Sequence, residues 1–182
     1  QWTGTLYADW RNTDLPLWKT YFDYPLEVGR GKGAVRAWLD FDHGRVADLT
    51  ADLTLSDLAV RLRPDLQALE LARVDGRIAA GEAQSIPGPG RRWFGSTGHR
   101  LELTDFSLQT GDGKTLPPTT ISHVFWPATT GQRERNEVRA SVLDLQPLAE
   151  LAANLPLPEG QRRLVAELAP RGQLRDVAAR WQ

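Results

Sequence analysis

The sequence predicts an α+β fold that is mainly β: a curved antiparallel sheet of seven to nine strands, with two or three short helices at its ends or edges. Three observations carry this. Apolar residues alternate with polar ones along several runs, the chain is rich in turn residues, and helical spacing occurs in only a few short stretches. The 182 residues suit one domain with its own core. Apolar residues make up 41% and charged residues 25%, which excludes a disordered or collagenous chain.

The clearest strands lie between residues 34 and 55. In Ala34-Val35-Arg36-Ala37-Trp38-Leu39-Asp40-Phe41 the odd positions are apolar, and in Asp48-Leu49-Thr50-Ala51-Asp52-Leu53-Thr54-Leu55 they are again. Both runs read as strands with one dry and one wet face. Their apolar sets must land on one side of the sheet, and a simple two-residue His43-Gly44 loop would set Leu39 against Asp48. The expected connection is therefore a three-residue loop with Gly44 in the left-handed conformation, pairing Phe41 with Arg45, Leu39 with Ala47, Ala37 with Leu49 and Val35 with Ala51.

After Leu55 the phase reverses, because Leu58, Val60 and Leu62 occupy even positions. The change falls at Ser56-Asp57, whose side chains compete for backbone donors and favour a bulge or bend. Leu101-Glu102-Leu103-Thr104-Asp105-Phe106-Ser107-Leu108 repeats the string of residues 53–60, so a second bend is expected at Thr104-Asp105. Further strands are predicted at 69–80, 120–126, 137–144 and 173–181, with a turn at Gly111-Asp112-Gly113. Two stretches, 81–98 and 127–136, lack periodicity and read as mobile loops.

Helices are predicted from Leu15 to before Pro25, capped by Asp14, from Leu145 to Leu155, capped by Asp144, and from Pro158 to Leu168, ended by Pro170 and Gly172. Asp14-Leu15-Pro16-Leu17 corresponds to Asp144-Leu145-Gln146-Pro147-Leu148, and His43–Leu49 to Arg171–Val177. The offset of about 130 residues suggests that residues 1–182 form one β-rich module and that a second repeat starts near 144.

Composition narrows the function classes. With 22 basic and 23 acidic residues the net charge is −1, so no strong positive field exists to attract nucleic acid. The absence of cysteine removes disulfides, thiol nucleophiles and thiolate metal sites. His43, His99 and His123 have no partner at metal-ligand spacing, so no metal or other cofactor is expected. Gly29-Arg30-Gly31-Lys32-Gly33 lacks the strand before and the helix after it that a phosphate loop requires, and reads as a flexible strand entry. Asp40, Asp42, Asp48 and Asp52 gather on the wet face of the hairpin, where solvation keeps them from general acid work. Ser85 and Ser96 have no nucleophile elbow and no nearby base. No active site is read, and no apolar run is long enough to cross a bilayer. Beginning at Gln1 without a leader, the chain reads as an internal segment of a longer protein.

Aromatic residues are more suggestive. Trp93-Phe94 lies beside Arg91-Arg92 in an irregular stretch, an arrangement that suits a lipid interface, a sugar platform or a protein contact. The dry hairpin face carries Val35, Ala37, Leu39, Phe41, Leu49, Ala51, Leu53 and Leu55, and few helices are available to cover it. Acyl chains could do so at about 0.8 kcal/mol per buried methylene.

Tyr24-Pro25-Leu26, then Gly31-Lys32-Gly33-Ala34-Val35-Arg36-Ala37-Trp38-Leu39, Gly44-Arg45-Val46, and Asp65-Leu66 through Leu69-Glu70-Leu71-Ala72-Arg73-Val74-Asp75-Gly76-Arg77 together resemble the AsmA-like family, in particular its large YhdP-type members. Ala140–Leu148 and Pro170-Arg171-Gly172 resemble the next part of the same pattern. The resemblance implies a groove-like repeat module of a β-rich lipid-bridge protein. Such proteins are periplasmic, anchored in the inner membrane of Gram-negative cells, and implicated in moving phospholipid towards the outer membrane and maintaining its barrier. It implies phospholipid acyl chains as cargo on the eight hairpin residues, membrane contact through other parts of the parent, envelope protein partners, and no catalysis. A structural or protein-interaction module without cargo, using Trp93 and Phe94, is the rival reading; an enzyme acting on glycans through the aspartates is a third.

Overall fold

In the computed structural model, residues 3–18, 27–43, 45–83, 98–155, 157 and 159–182 are described. The chain runs β1 (Gly4–Asp14), α1 (Leu15–Trp18), β2 (Glu27–Asp42), β3 (Arg45–Arg61), β4 (Leu69–Glu82), β5 (His99–Thr110), β6 (Thr115–Trp126), β7 (Arg135–Asp144), α2 (Leu145–Leu151), α3 (Glu159–Leu168) and β8 (Gln173–Trp181). All eight strands form a single antiparallel sheet in sequence order, curved and unclosed, with β1 and β8 as its edges.

β1 was not anticipated, although Leu6, Ala8 and Trp10 alternate in it. Residues 29–33 belong to β2 itself, pairing with β3 through Val28–Val60, Arg30–Ala59 and Lys32–Ser56, and are not a flexible entry. The stretch 127–136 contains a compact turn in which Thr129 and Gln132 exchange backbone hydrogen bonds at 2.9 and 3.1 Å.

The β2–β3 register corrects the expected one. Asp42 pairs with Arg45 and Phe41 with Val46, so the loop is the two residues His43-Gly44; a bulge then shifts the ladder, and Asp40 pairs with Asp48. Leu39 consequently meets Leu49, Ala37 meets Ala51 and Val35 meets Leu53. The facing constraint was right, but the extra residue is Ala47 in the strand and not a third loop residue. A bulge restores the phase as well as a longer loop does. His43 takes φ 52°, while Gly44 lies outside the described residues.

Both expected bends are present. Asp57 and Asp105 have φ 49° and 48°, and the ladders beside them shift register. Aspartate tolerates this left-handed backbone because its side chain is short and polar. A third such residue, Asp176 at φ 51°, lies in Leu174-Arg175-Asp176-Val177, a shortened copy of the same string. Glycines on the adjoining strands make room for the first two: Gly33 (φ 148°) beside Leu55 and Gly76 (φ 142°) beside Phe106. A side chain at Gly33 would collide with the Thr54 carbonyl oxygen, and one at Gly76 would lie 2.7 Å from the Phe106 Cα.

One core cluster holds residues from both sides of the Asp57 bend, with Val35, Ala37, Ala51 and Leu55 on one side and Leu58, Val60, Leu69 and Leu71 on the other. The apolar face is therefore the inside of the curve. Leu15 and Trp18 of α1 and Leu151 of α2 pack on this cluster at the end where the strands bend. Lys114 reaches Glu150 of α2 at 3.1 Å, and the Asn154 side chain donates to the Ala68 carbonyl at 3.2 Å. These contacts lay the helical segment from β7 across the β5–β6 and β3–β4 turns, closing one end of the trough.

Helix boundaries differ in detail from expectation. α2 stops at Leu151 and continues as a 3-10 turn over 152–154. Asp144 occupies the N-cap position without capping; Leu145 N–H donates instead to the Gly172 carbonyl at 2.9 Å, and the Asp144 carboxylate accepts from Gln173. α3 ends at Leu168 as expected, and Ala169, just beyond it, takes φ 39°. The chain from 19 to Pro25, where α1 was expected to continue, lies outside the described residues.

Between β6 and β7 the backbone ladder runs only from Trp126–Arg135 to Ile121–Ala140. Pro117 and Pro118, which lack N–H donors, precede this point. Side chains take over: Thr119 Oγ1 donates to the Val142 carbonyl, and Thr120 N–H donates to Ser141 Oγ at 2.9 Å.

Gly33→Ala and Gly76→Ala should each destabilise the protein by about 2 kcal/mol or more, combining backbone strain with steric conflict. Gly113→Ala, at positive φ but with open space around it, should cost about 1 kcal/mol. Urea unfolding of the three variants measures this ranking, and equal losses would contradict the role given to the bends.

Candidate functional site: the apolar face of the sheet

Residues directly opposed in an antiparallel ladder share a face, so the pairings trace rows across the sheet. One row reads Leu6, Leu39, Leu49, Ala80, Leu101, His123, Val138, Ala179 from β1 to β8. The next reads Ala8, Ala37, Ala51, Ile78, Leu103, Ile121, Ala140, Val177. The second is apolar throughout, and the first is interrupted only by His123. Seven gaps at about 4.8 Å make each row about 34 Å long.

Cover over these rows is partial. Of the eight residues expected to face lipid, Val35, Ala37, Ala51 and Leu55 are buried, while Leu39, Phe41, Leu49 and Leu53 are half-buried. The buried four belong to the cluster beneath α1 and α2. Towards the β2–β3 turn no described helix covers the sheet, and Ala80, Leu101, Val138, Ile78, Leu103 and Ile121 stay half-exposed. Leu6 at one edge is 50% exposed. The accessible apolar surface is thus shifted away from the bend relative to the expected set and extends across β4–β8. Alternation within 78–80, 101–103, 121–123 and 138–140 carried that signal in the sequence.

The opposite face is a lattice of charges. Asp9, Arg36, Asp52 and Arg77 follow one another across β1–β4. Asp52 accepts from Arg77 at 2.6 Å and lies 3.2 Å from Arg36. Arg100 meets Asp48 at 2.9 Å, Glu137 is held by Arg139 and Arg180, and Thr5 donates to Asp40. Tyr7 and Trp38 meet on this face with ring centroids 5.3 Å apart and planes tilted by 44°, and Arg77 lies above the indole. Asp42, the fourth aspartate of the candidate carboxylate cluster, lies against His43 Nδ1 at 2.6 Å. The aspartates are thus drawn into separate partnerships and do not face one another across a cleft. Among the described residues no group of His, Asp and Glu could hold a metal ion.

The hydrogen bond from Arg77, aided by the charges of Arg77 and Arg36, holds the Asp52 carboxyl below its ordinary value. His99 is displaced downwards by burial and by the neighbouring His123. Both histidines lie on the apolar face, their rings 5.1 Å apart and edge-on, with His99 5.4 Å from Phe125. His123 Nε2 lies 3.2 Å from Asn136 Oδ1. Trp93 and Phe94, and with them Ser85 and Ser96, fall outside the described residues.

Fold and site together define an open, two-faced β module with an apolar trough, charged on its outer side. A protein-family model described as "YhdP protein" matches residues 1–182, and the chain belongs to that family. The family is envelope-associated and related to lipid transport, and it is not a known enzyme family. Searches of curated proteins and of solved structures found no match. Among the described residues no helix is long and apolar enough to cross a membrane.

Because its carboxyl is held below the ordinary value near 3.8, Asp52 contributes stability that is fully present above that pH and is lost as the pH falls through the folded-state value. Asp52→Asn should therefore cost about 1 kcal/mol at neutral pH, with the difference shrinking as the solution is acidified below the ordinary carboxylate value. Urea unfolding across this range measures it; a gap that widens in acid would refute the assignment.

Proposed function

We propose that the chain is a non-enzymatic segment of a periplasmic protein anchored in the inner membrane, and that it carries phospholipid between the inner and outer membranes along its apolar trough, supporting the outer-membrane barrier. The observation that carries this reading is the pair of apolar rows crossing all eight strands, half-exposed where no described helix covers them. Family membership supports the same direction.

The dimensions suit the task. One acyl chain occupies about half of a 30 Å bilayer core, roughly 15 Å, so a 34 Å row accommodates it with length to spare. Successive rows on one face stand about 7 Å apart, which lets the two tails of a phospholipid lie side by side. Each buried methylene contributes about 0.8 kcal/mol. Because the rows present similar surfaces, a tail can slide without any one position trapping it. No bond need be made or broken, and the charged outer face keeps the segment hydrated.

Uptake of an acyl-labelled fluorescent phospholipid by the purified protein tests the proposal. Leu101→Asp, within the trough, should reduce uptake at least about tenfold by placing a charge against hydrocarbon. Thr50→Asp, on the outer face, should leave uptake unchanged. A wild-type protein that takes up nothing, or a Leu101→Asp variant that loads normally, would leave the scaffold or protein-interaction reading in its place.

A further inference from the structure

On an outer face otherwise laced with ion pairs, the carboxylates of Glu102 on β5 and Asp176 on β8 have no protein partner among the described residues. Glu102, Ser122 and Arg139 are successive members of the outer row that begins at Tyr7 and Trp38. Thr120, Ser141 and Asp176 lie beside them, and the six line a recess of about 460 Å³. Small side chains create it, because Thr120, Ser122 and Ser141 stand on a face that carries Trp38, Arg36 and Arg77 elsewhere. Three strand gaps of about 4.8 Å and two rows about 7 Å apart make it about 14 Å long and about 7 Å wide. Its volume is in the range of sites for small organic ligands.

We propose that this recess binds a neutral, hydroxyl-rich ligand of disaccharide size, a glycan segment, on the face turned away from the trough. The groups left over by the fold decide the chemistry. Ser141 is already engaged: its Oγ accepts the Thr120 N–H at 2.9 Å and lies 3.4 Å from Thr119 Oγ1. The hydroxyls of Thr120 and Ser122 have no protein partner. Arg139 commits Nε and Nη2 to Glu137 at 2.8 and 2.7 Å, which leaves the donors of Nη1. Unspent acceptors thus stand at the two ends, on β5 and β8, and unspent donors between them, on β6 and β7. An anion would meet a carboxylate at either end, and a cation would meet the Arg139 guanidinium in the middle. A sugar hydroxyl both donates and accepts, so one uncharged ligand can give protons to Glu102 and Asp176 and take them from Arg139, with charge-assisted bonds at both. Ala178 and the Thr120 methyl group offer small apolar ground for the C–H face of a ring. A length of about 14 Å takes two pyranose rings end to end across the strands.

The test follows the backbone amide resonances of the protein while N,N′-diacetylchitobiose, cellobiose, glucose, spermidine or citrate is added, the last two as a cationic and an anionic comparison. At least one disaccharide should shift residues of β5–β8 saturably with a Kd of about 1 mM. Glucose, too short to reach both carboxylates, should bind about tenfold more weakly, and spermidine and citrate should leave these residues unmoved. Glu102→Ala and Asp176→Asn should each weaken the disaccharide about fivefold, the asparagine keeping the left-handed backbone at 176. Ser122→Phe should fill the recess and abolish the response, whereas Thr50→Asp, two strands away on the same face, should leave it unchanged. Thermal unfolding checks that the variants fold. No saturable shift of the wild type by either disaccharide up to about 10 mM overturns the site. So does a response to spermidine or citrate in their place, or unchanged binding in folded Glu102→Ala and Ser122→Phe. Recess and trough lie on opposite faces, so phospholipid uptake by these variants should match the wild type, and failure of either assignment leaves the other standing.

Discussion

Every feature of this protein depends on the rule that opposed residues in an antiparallel ladder face the same way. Alternation along a single strand has a period of two; strand pairing converts it into continuous rows across eight strands. The rule holds only while the ladders stay in phase. Ala47 performs that task near the first turn, where one extra residue keeps Leu39 opposite Leu49. Without it, the apolar set of β2 would face the charged set of β3, and the division into a dry and a wet face would end at the second strand.

Curvature is the second requirement, and the molecule meets it with left-handed aspartates. Asp57 and Asp105 bend their strands, with Gly33 and Gly76 alongside where a side chain would collide with the adjoining backbone. The bend brings apolar residues from its two sides into one cluster, which α1 and α2 cover. Stability and availability are thereby separated along each strand. The helix-covered end supplies a core, and the opposite end keeps an apolar surface that the chain's own described helices do not cover. The Arg–carboxylate lattice gives the outer face order as well as hydration, although exposed pairs of this kind each stabilise only slightly.

The proposed function rests on the contrast between the two faces more than on any single residue. Under that reading, a trough of repeated apolar rows offers a path instead of a pocket. His123 is the polar residue in one of these rows, between Leu101 and Val138. A histidine at this position would be a poor choice for packing alone, since its desolvation must be offset by partners such as Asn136.

The mainly β class, most of the strands, the dry and wet sides of the hairpin and the two bends in the Leu-x-Asp strings are legible in the residues alone, because alternation and turn chemistry are local properties. The residues also carry the family, since the pattern extends along the chain. The position of the extra residue at the first hairpin was not determined, because a longer loop and a strand bulge restore the same phase. Nor was the division of the eight hairpin residues into a buried and an accessible half: that depends on Leu15, Trp18 and Leu151 arriving from distant parts of the chain. His99, His123 and Asn136 were dispersed along the sequence for the same reason. They meet because β5, β6 and β7 lie side by side in register, a pairing that no local pattern specifies.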